Sequence, residues 1–227
     1  VDPMELIETY GADTARLYTL FAAPPDKDLE WNPDGVLGIS RFVGRLYRVV
    51  MAQQERARRA EPTRSMQGLS RADAEVRRAT HRTLAKAREE IGERNHFNTA
   101  IAAMMELVNV LHDHKLHERG AAVSPGVVKE TMLLMAQMLA PLAPHLAEEV
   151  WAELGHSESI FKESWPEAEA KFLVKTSVTF AVQVNGKLRG TVDLAPDVSK
   201  EDALAAARAS ENVAKYLTGE VVKEIFV

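Results

Sequence analysis

The sequence predicts a mainly α protein: an antiparallel helical bundle followed by a small α+β domain of β-β-α-β order. Three features of the 227 residues carry this expectation. Between residues 34 and 166 apolar side chains recur at three- and four-residue spacing, as on amphipathic helices. Val178, Phe180, Val182 and Val184 alternate with Thr179, Ala181 and Gln183, the period of a half-buried strand. Asn185-Gly186 follows at once and supplies the positive φ angles of a tight hairpin. The expected layout is a connector over 1–33, the bundle over 34–166 and the small domain over 172–227.

Each element has a local reason. Asp2 is suited to cap a first helix, with Pro3 at its opening position and Glu5 as a capping-box acid. A chain that begins on so complete a helix start, without methionine, reads as the continuation of something longer. Gly11 ends that helix, and Asp13 is expected to cap the next, where Leu17, Leu20 and Phe21 share a face. Pro24-Pro25 stops it, and an acidic turn-rich connector follows, anchored by Leu29 and Trp31. A long helix fits from about Pro33 to Ala60, burying Ile39, Phe42, Val43, Leu46 and Val50. Ser70 with Asp73 three residues on is a helix start, and Val76, Leu84, Ala87 and Ile91 mark its buried side. A break near Asn95 leads to a helix with Phe97, Ile101, Met104, Met105, Val108 and Leu111 inward. From Val127 a further helix runs to Pro141 and Pro144, which should kink it or split it in two. Leu146, Val150, Trp151 and Leu154 continue beyond, and Gly155 closes the bundle. After the hairpin, Ser199 with Asp202 caps a helix, Ser210 starts a shorter one, and residues 220–227 read as a last strand.

Composition narrows the function. With no cysteine, disulfides, thiolate metal sites and cysteine nucleophiles are excluded, which fits a cytoplasmic setting. The most apolar stretch, residues 131–147, contains Gln137, His145 and two prolines, so it reads as buried helix, not membrane span. The net charge of −5 hides a polarised chain. Residues 41–94 hold 14 Lys or Arg against 7 Asp or Glu, whereas residues 123–170 hold 2 against 8. The basic quarter suits a polyanion, although a solvated helix surface has the same composition.

No catalytic constellation is present: there is no glycine-rich phosphate loop, zinc-protease motif or serine elbow. His112, Asp113, His114 and His117 offer two histidines on one helical face and no third ligand, so helix-end histidines are the preferred reading. His145 with Glu148 and Glu149 is preferred as a helix start over half a metal site. No metal site is expected. Arg41, Arg45 and Arg48 form a stripe spaced to follow a nucleic-acid backbone, with Arg77, Arg78 and Arg82 as further candidates. Lys187 and Arg189, two apart just past the hairpin turn, would share a face of a regular strand and could contact phosphate or guard an edge.

The stretches "DPMELIETYGADTARLYTLFAAPPDKDLEW", "FNTAIAAMMELVN", "LAPLAPHLAEEVW" and "VQVNGKLRG" stand in the order they take in bacterial leucyl-tRNA synthetases, class I aminoacyl-tRNA synthetases. The resemblance covers nearly the whole chain. "LAPLAPHLAEEVW" is shared with the isoleucine, valine and methionine enzymes, while "VQVNGKLRG" is the most specific for leucine. It implies an anticodon-binding-type bundle and a carboxy-terminal domain reaching the tRNA elbow, downstream of the lysine-rich signature loop. The adenylation and editing residues of the family have no counterparts here. ATP and Mg²⁺ would belong to the parent enzyme, with no cofactor in this part. The implied partners are a leucine-specific tRNA and the catalytic core of the same polypeptide, in a cytoplasmic monomer. Arg41, Arg45, Arg48, Arg77, Arg78 and Arg82 would grip the RNA stem, and Lys187 and Arg189 the elbow. The alternatives are a free-standing helical tRNA-binding adaptor and the equivalent part of a valyl- or isoleucyl-tRNA synthetase.

Overall fold

The computed structural model describes every residue except 1, 2, 25, 26, 29, 30, 64, 66, 175–177, 196, 197, 218–222 and 227. The chain divides into two compact units, Val1–Leu173 and Val174–Val227.

The first unit is helical. It comprises α1 (Pro3–Tyr10), α2 (Ala12–Ala22), α3 (Pro33–Arg58), α4 (Arg71–Gly92), α5 (Phe97–Asp113), α6 (Pro125–Leu139), α7 (Pro144–Glu153) and the short α8 (Ala170–Leu173), with a 3-10 turn at Ile160–Lys162. The expected cap at Asp2 and the Leu29 anchor lie outside the described residues. Trp31 packs edge-on against Tyr18, whose hydroxyl accepts the Asn32 backbone N–H at 2.8 Å. Asn32 in turn caps α3 by accepting the Asp34 N–H at 3.0 Å. The capping box at Ser70 and Asp73 forms as expected. Prolines divide the apolar run after Val127, because Pro144 opens α7 where its missing N–H costs nothing.

Helix α4 packs on both α5 and α6, α3 lies along α5 and α6, and α2 contacts α3, α5 and α7. Leu17, Ile39, Leu84, Ile101, Met104 and Val150 are almost fully buried where these helices meet. Each such side chain contributes about 1.5–3 kcal/mol of transfer free energy. Gly126 shows how close the packing is. A Cβ there would lie 2.4 Å from Thr63 Oγ1 and 2.7 Å from the Glu61 carbonyl, so only glycine lets Glu61 and Thr63 dock on the start of α6.

Asp13 differs from its expected role. The residue before α2 is Gly11, and no side chain caps that helix. Instead Asp13 accepts the Leu146 N–H at 2.6 Å and a hydrogen bond from His145 Nδ1 at 2.9 Å, capping α7. Arg16, one turn on, donates to the Pro141 and Leu142 carbonyls, each at 3.4 Å. One helix thus supplies an acid to the positive end of α7 and a base to the negative end of α6, as the helix dipole favours.

The second unit pairs β1 (Val178–Val184) with antiparallel β2 (Lys187–Leu194), followed by α9 (Lys200–Ala209) and α10 (Glu211–Ala214). Asn185 and Gly186 make the turn with φ of 54° and 75°. Both helices pack on β2, and Ala203 and Val213 are its buried residues among those described. The last strand expected over 220–227 falls partly outside the described residues. Residues 223–226 carry no strand pairing, although Phe226 stacks on Phe180 at 5.7 Å.

Candidate nucleic-acid interface

The three arginines of α3 sit together on its open side. Arg41 and Arg48 are exposed and Arg45 is half-buried. Arg45 donates to Asn109 Oδ1 at 2.6 Å, and Arg48 lies back along the helix to the Gly44 carbonyl at 3.3 Å. No carboxylate pairs with any of the three among the described residues. Tyr47 and Met51 add exposed aromatic and apolar surface beside them. The local field is positive. Burial holds the His112 imidazole below its ordinary range, and the cations Arg45 and Arg48 push the same way, as does His117. The Nε2 hydrogen bond that His112 donates to the Arg45 carbonyl at 3.3 Å works the other way and is outweighed.

The three candidates on α4 separate. Arg82 is exposed and donates to the Arg78 carbonyl at 3.2 Å, while Arg78 is half-buried. Lys86, exposed four residues on, continues their row and was missed, although the four-residue spacing is its signal. Arg77 does not belong to this surface. Its side chain is 0% exposed and its fork closes on Glu130, Nε to Oε2 at 2.6 Å and a terminal nitrogen to Oε1 at 2.8 Å. Two more donors reach the Ser65 and Thr63 carbonyls, each at 2.7 Å. The expectation that Arg77 grips RNA is corrected: four of its five N–H donors are bound inside the protein and the side chain is fully buried, so phosphate cannot approach it.

A compact polar cluster forms around Arg77. Phe172 of α8 covers the guanidinium at 4.3 Å and stacks on His81 at 4.4 Å. His81 Nδ1 accepts the Glu169 N–H at 3.3 Å, so Nε2 carries the proton donated to Glu130 Oε1 at 3.1 Å. Burial pushes the Glu130 carboxyl up, but the hydrogen bonds from His81 and Arg77 outweigh it and hold the group below its ordinary range. Donor atoms of His81, Glu130 and Glu169 lie within 4.8 Å of one another. That spacing suits a cation, and the cation present is Arg77. The cluster ties α4, α6 and α8 to the backbone at Thr63 and Ser65.

At the hairpin, Lys187 is exposed. The register slips between Val182 and Gln183: Val182 pairs with Gly190 and Gln183 with Leu188. Arg189 is thus the extra residue of a bulge, and the regular alternation expected to align it with Lys187 is broken. Its guanidinium lies 3.9 Å above the Tyr216 ring, and its buried Nε has no hydrogen-bond partner. The other histidine groupings do not converge on a metal geometry. His112 stacks on His117 at 4.3 Å, His114 faces Glu75 at 3.3 Å, and Glu148 binds Ser159 while His145 binds Asp13.

Comparison with known proteins gives a consistent picture. A family model described as the anticodon-binding domain of tRNA ligase matches residues 73–204. The leucine–tRNA ligase of Geobacter sp. (strain M21) is 43% identical over 225 residues, 99% of this chain and 27% of that protein. That of Nitrosococcus oceani is 40% identical over 227 residues, all of this chain and 27% of the relative. The crystal structure of the Agrobacterium radiobacter K84 agnB2 LeuRS–tRNA–LeuAMS ternary complex superposes with a TM-score of 0.78 at 28% identity, covering 100% of this chain and 28% of that one. The chain therefore spans about a quarter of the length of the curated relatives it matches. No helix among the described residues is long and apolar enough to cross a membrane. With a helical bundle, an unpaired cationic helix face and a family match across more than half its length, the chain belongs to the anticodon-binding domain family of tRNA ligases.

Proposed function

We infer that this chain is the tRNA-holding part of a leucine–tRNA ligase, gripping the RNA while adenylation and transfer occur elsewhere in the parent enzyme. The observation that carries this reading is identity of 40% and 43% to leucine–tRNA ligases over essentially the whole chain. Arg41, Arg45 and Arg48 on α3, with Arg78 and Arg82 on α4, contact the sugar–phosphate backbone. The charge of the α3 arginines, which no carboxylate pairs among the described residues, supports this role, since phosphate contacts position an RNA without reading its bases. Residues 1–33 form the connector to the catalytic core, 34–166 the bundle and 172–227 the elbow-binding domain. The parent works as a monomer in the cytoplasm, on leucine and its tRNA. ATP and Mg²⁺ serve that parent. The residues here do not fit either one: the sequence has no phosphate loop, and the trio of donors found among the described residues already holds Arg77 as its cation. No chemical step is assigned to this chain.

Lys187 and Arg189 contact the elbow, Lys187 as a free charge and Arg189 as a cation held flat by Tyr216. Replacing both with alanine is expected to weaken binding to a leucine tRNA transcript. It should also lower the slope of log affinity against log salt by about 1–2. Filter binding across several salt concentrations measures both. An unchanged slope removes the elbow assignment, and equal binding of valine or isoleucine tRNAs removes the leucine assignment.

A further inference from the structure

We propose that Phe172, held between Arg77 and His81, is a positioning residue for tRNA binding: it fixes the point at which the chain leaves the helical unit. This rests on the tRNA-holding reading above, in which the helical unit and the small domain both touch one RNA. The helical unit ends at Leu173 and β1 begins at Val178, so only residues 174–177 separate α8 from the hairpin. The seat of α8 therefore decides where the second unit is tethered. A helix of four residues does not hold itself, since isolated helices shorter than about 12–15 residues are marginal in water. Of its residues Phe172 alone is buried, at 1% exposed, while Leu173 and then Val174 lie at the surface.

The slot that takes this ring has polar walls. Arg77 and His81 stand one turn apart on α4, both buried. The guanidinium lies 4.3 Å from the ring centroid, and the imidazole stacks on the ring at 4.4 Å with 18° between planes. Glu130 of α6 binds both walls and sets their orientation. Glu169, just before α8, reaches the same pair, through its N–H to His81 and its carboxylate 3.7 Å from Arg77. A buried ion pair is seldom worth more stability than apolar residues of the same volume. Two planar groups fixed in place do offer a flat slot that takes an aromatic ring in one orientation. Further back, Trp165 and Ala168 pack on the bundle core, whereas the exposed Arg88–Glu167 pair contributes little. Without Phe172 the chain is loose back to Ala168 or Trp165.

The test uses the full chain and a fluorescent leucine tRNA transcript, with Phe172→Ala, Phe172→Leu and an insertion of about five Gly or Ser residues after Val174. Releasing α8 roughly doubles or triples the tether. Effective concentration falls as about the −3/2 power of tether length, so Phe172→Ala should raise the dissociation constant about three- to fivefold. The slope of log affinity against log salt should match the wild type, because no phosphate contact is removed. Phe172→Leu, which fills the slot without stacking, should lie between the two. The insertion leaves the cluster untouched and should reproduce the loss in the wild type, with a smaller further loss in Phe172→Ala. A purely structural role would lower the thermal midpoint of Phe172→Ala and leave its tRNA affinity unchanged. That result, a reduced salt slope in Phe172→Ala, or wild-type affinity in the insertion variant overturns this proposal and leaves the tRNA-holding reading of the bundle intact. If Phe172→Ala does not fold, the insertion variant decides. Absence of any tRNA binding by the wild type at low salt overturns both.

Discussion

Helices α3 and α4 carry arginines in similar numbers and use them in opposite ways. On α3 the guanidinium groups of Arg41, Arg45 and Arg48 meet no carboxylate and face outward. On α4, Arg77 is fully buried, with its charge neutralised by Glu130, and its neighbour Arg78 remains at the surface. Two adjacent arginines of one helix thus do different work. Charge counted along a sequence says how many cations exist, and only the position of the acids in space says which remain for a partner. Where Glu130 of α6 faces α4, the arginine becomes part of the core. Where α3 faces solvent, it stays available.

The largest expected effect breaks the buried side of this contrast. Arg77→Met should destabilise the chain by about 3–5 kcal/mol, because it leaves Glu130 charged, nearly buried and without its fork. Urea denaturation of the purified chain measures this, and a loss below about 1 kcal/mol would show the cluster to be dispensable. Acid is expected to do the same more gently. The folded pKa of Glu130 lies below its ordinary value of 4.5, and that of Asp73 below 3.8. For Asp73, burial works against this, but hydrogen bonds from Ser124 and Ser70 prevail. The unfolded chain therefore takes up these protons first as pH falls. The stability they contribute is complete above the ordinary carboxylate range and is lost as pH drops through the folded values. Denaturation midpoints followed from about pH 6 to pH 3 should decline, and the decline should be shallower in Glu130→Gln, which begins from a lower midpoint. The smallest effect on stability belongs to α3: Arg41→Ala should change it by no more than about 0.5 kcal/mol, since that side chain has no hydrogen-bond or ion-pair partner among the described residues.

Much of the bundle was legible because helical periodicity and its punctuation are local. Pro144 had to open a helix, Gly155 at φ 97° had to close one, and Asn185-Gly186 had to turn a hairpin. What escaped depends on distant residues. Asp13 stands where a local cap belongs, yet its partner is Leu146 at the start of α7. The motif around Asp13 and Arg16 and the proline-rich run at 140–145 are each recognisable alone, and their shared purpose appears only once the chain is folded. The bulge at Arg189 is likewise set by cross-strand register, which a two-residue count along one strand does not contain. The candidate interface was legible only as a set of cations: Arg41 and Arg48 of α3 lie at the surface, while Arg77 moves to the core because Glu130 faces it from another helix.

The central claim is that the unpaired face of α3 holds RNA. Its most direct test is the salt dependence of leucine tRNA binding by the wild-type chain and by Arg41→Ala/Arg45→Ala/Arg48→Ala, with thermal midpoints measured in parallel. The slope of log affinity against log salt should fall by about 2–3 while the midpoint barely moves. An unchanged slope in a stably folded triple variant would contradict the claim.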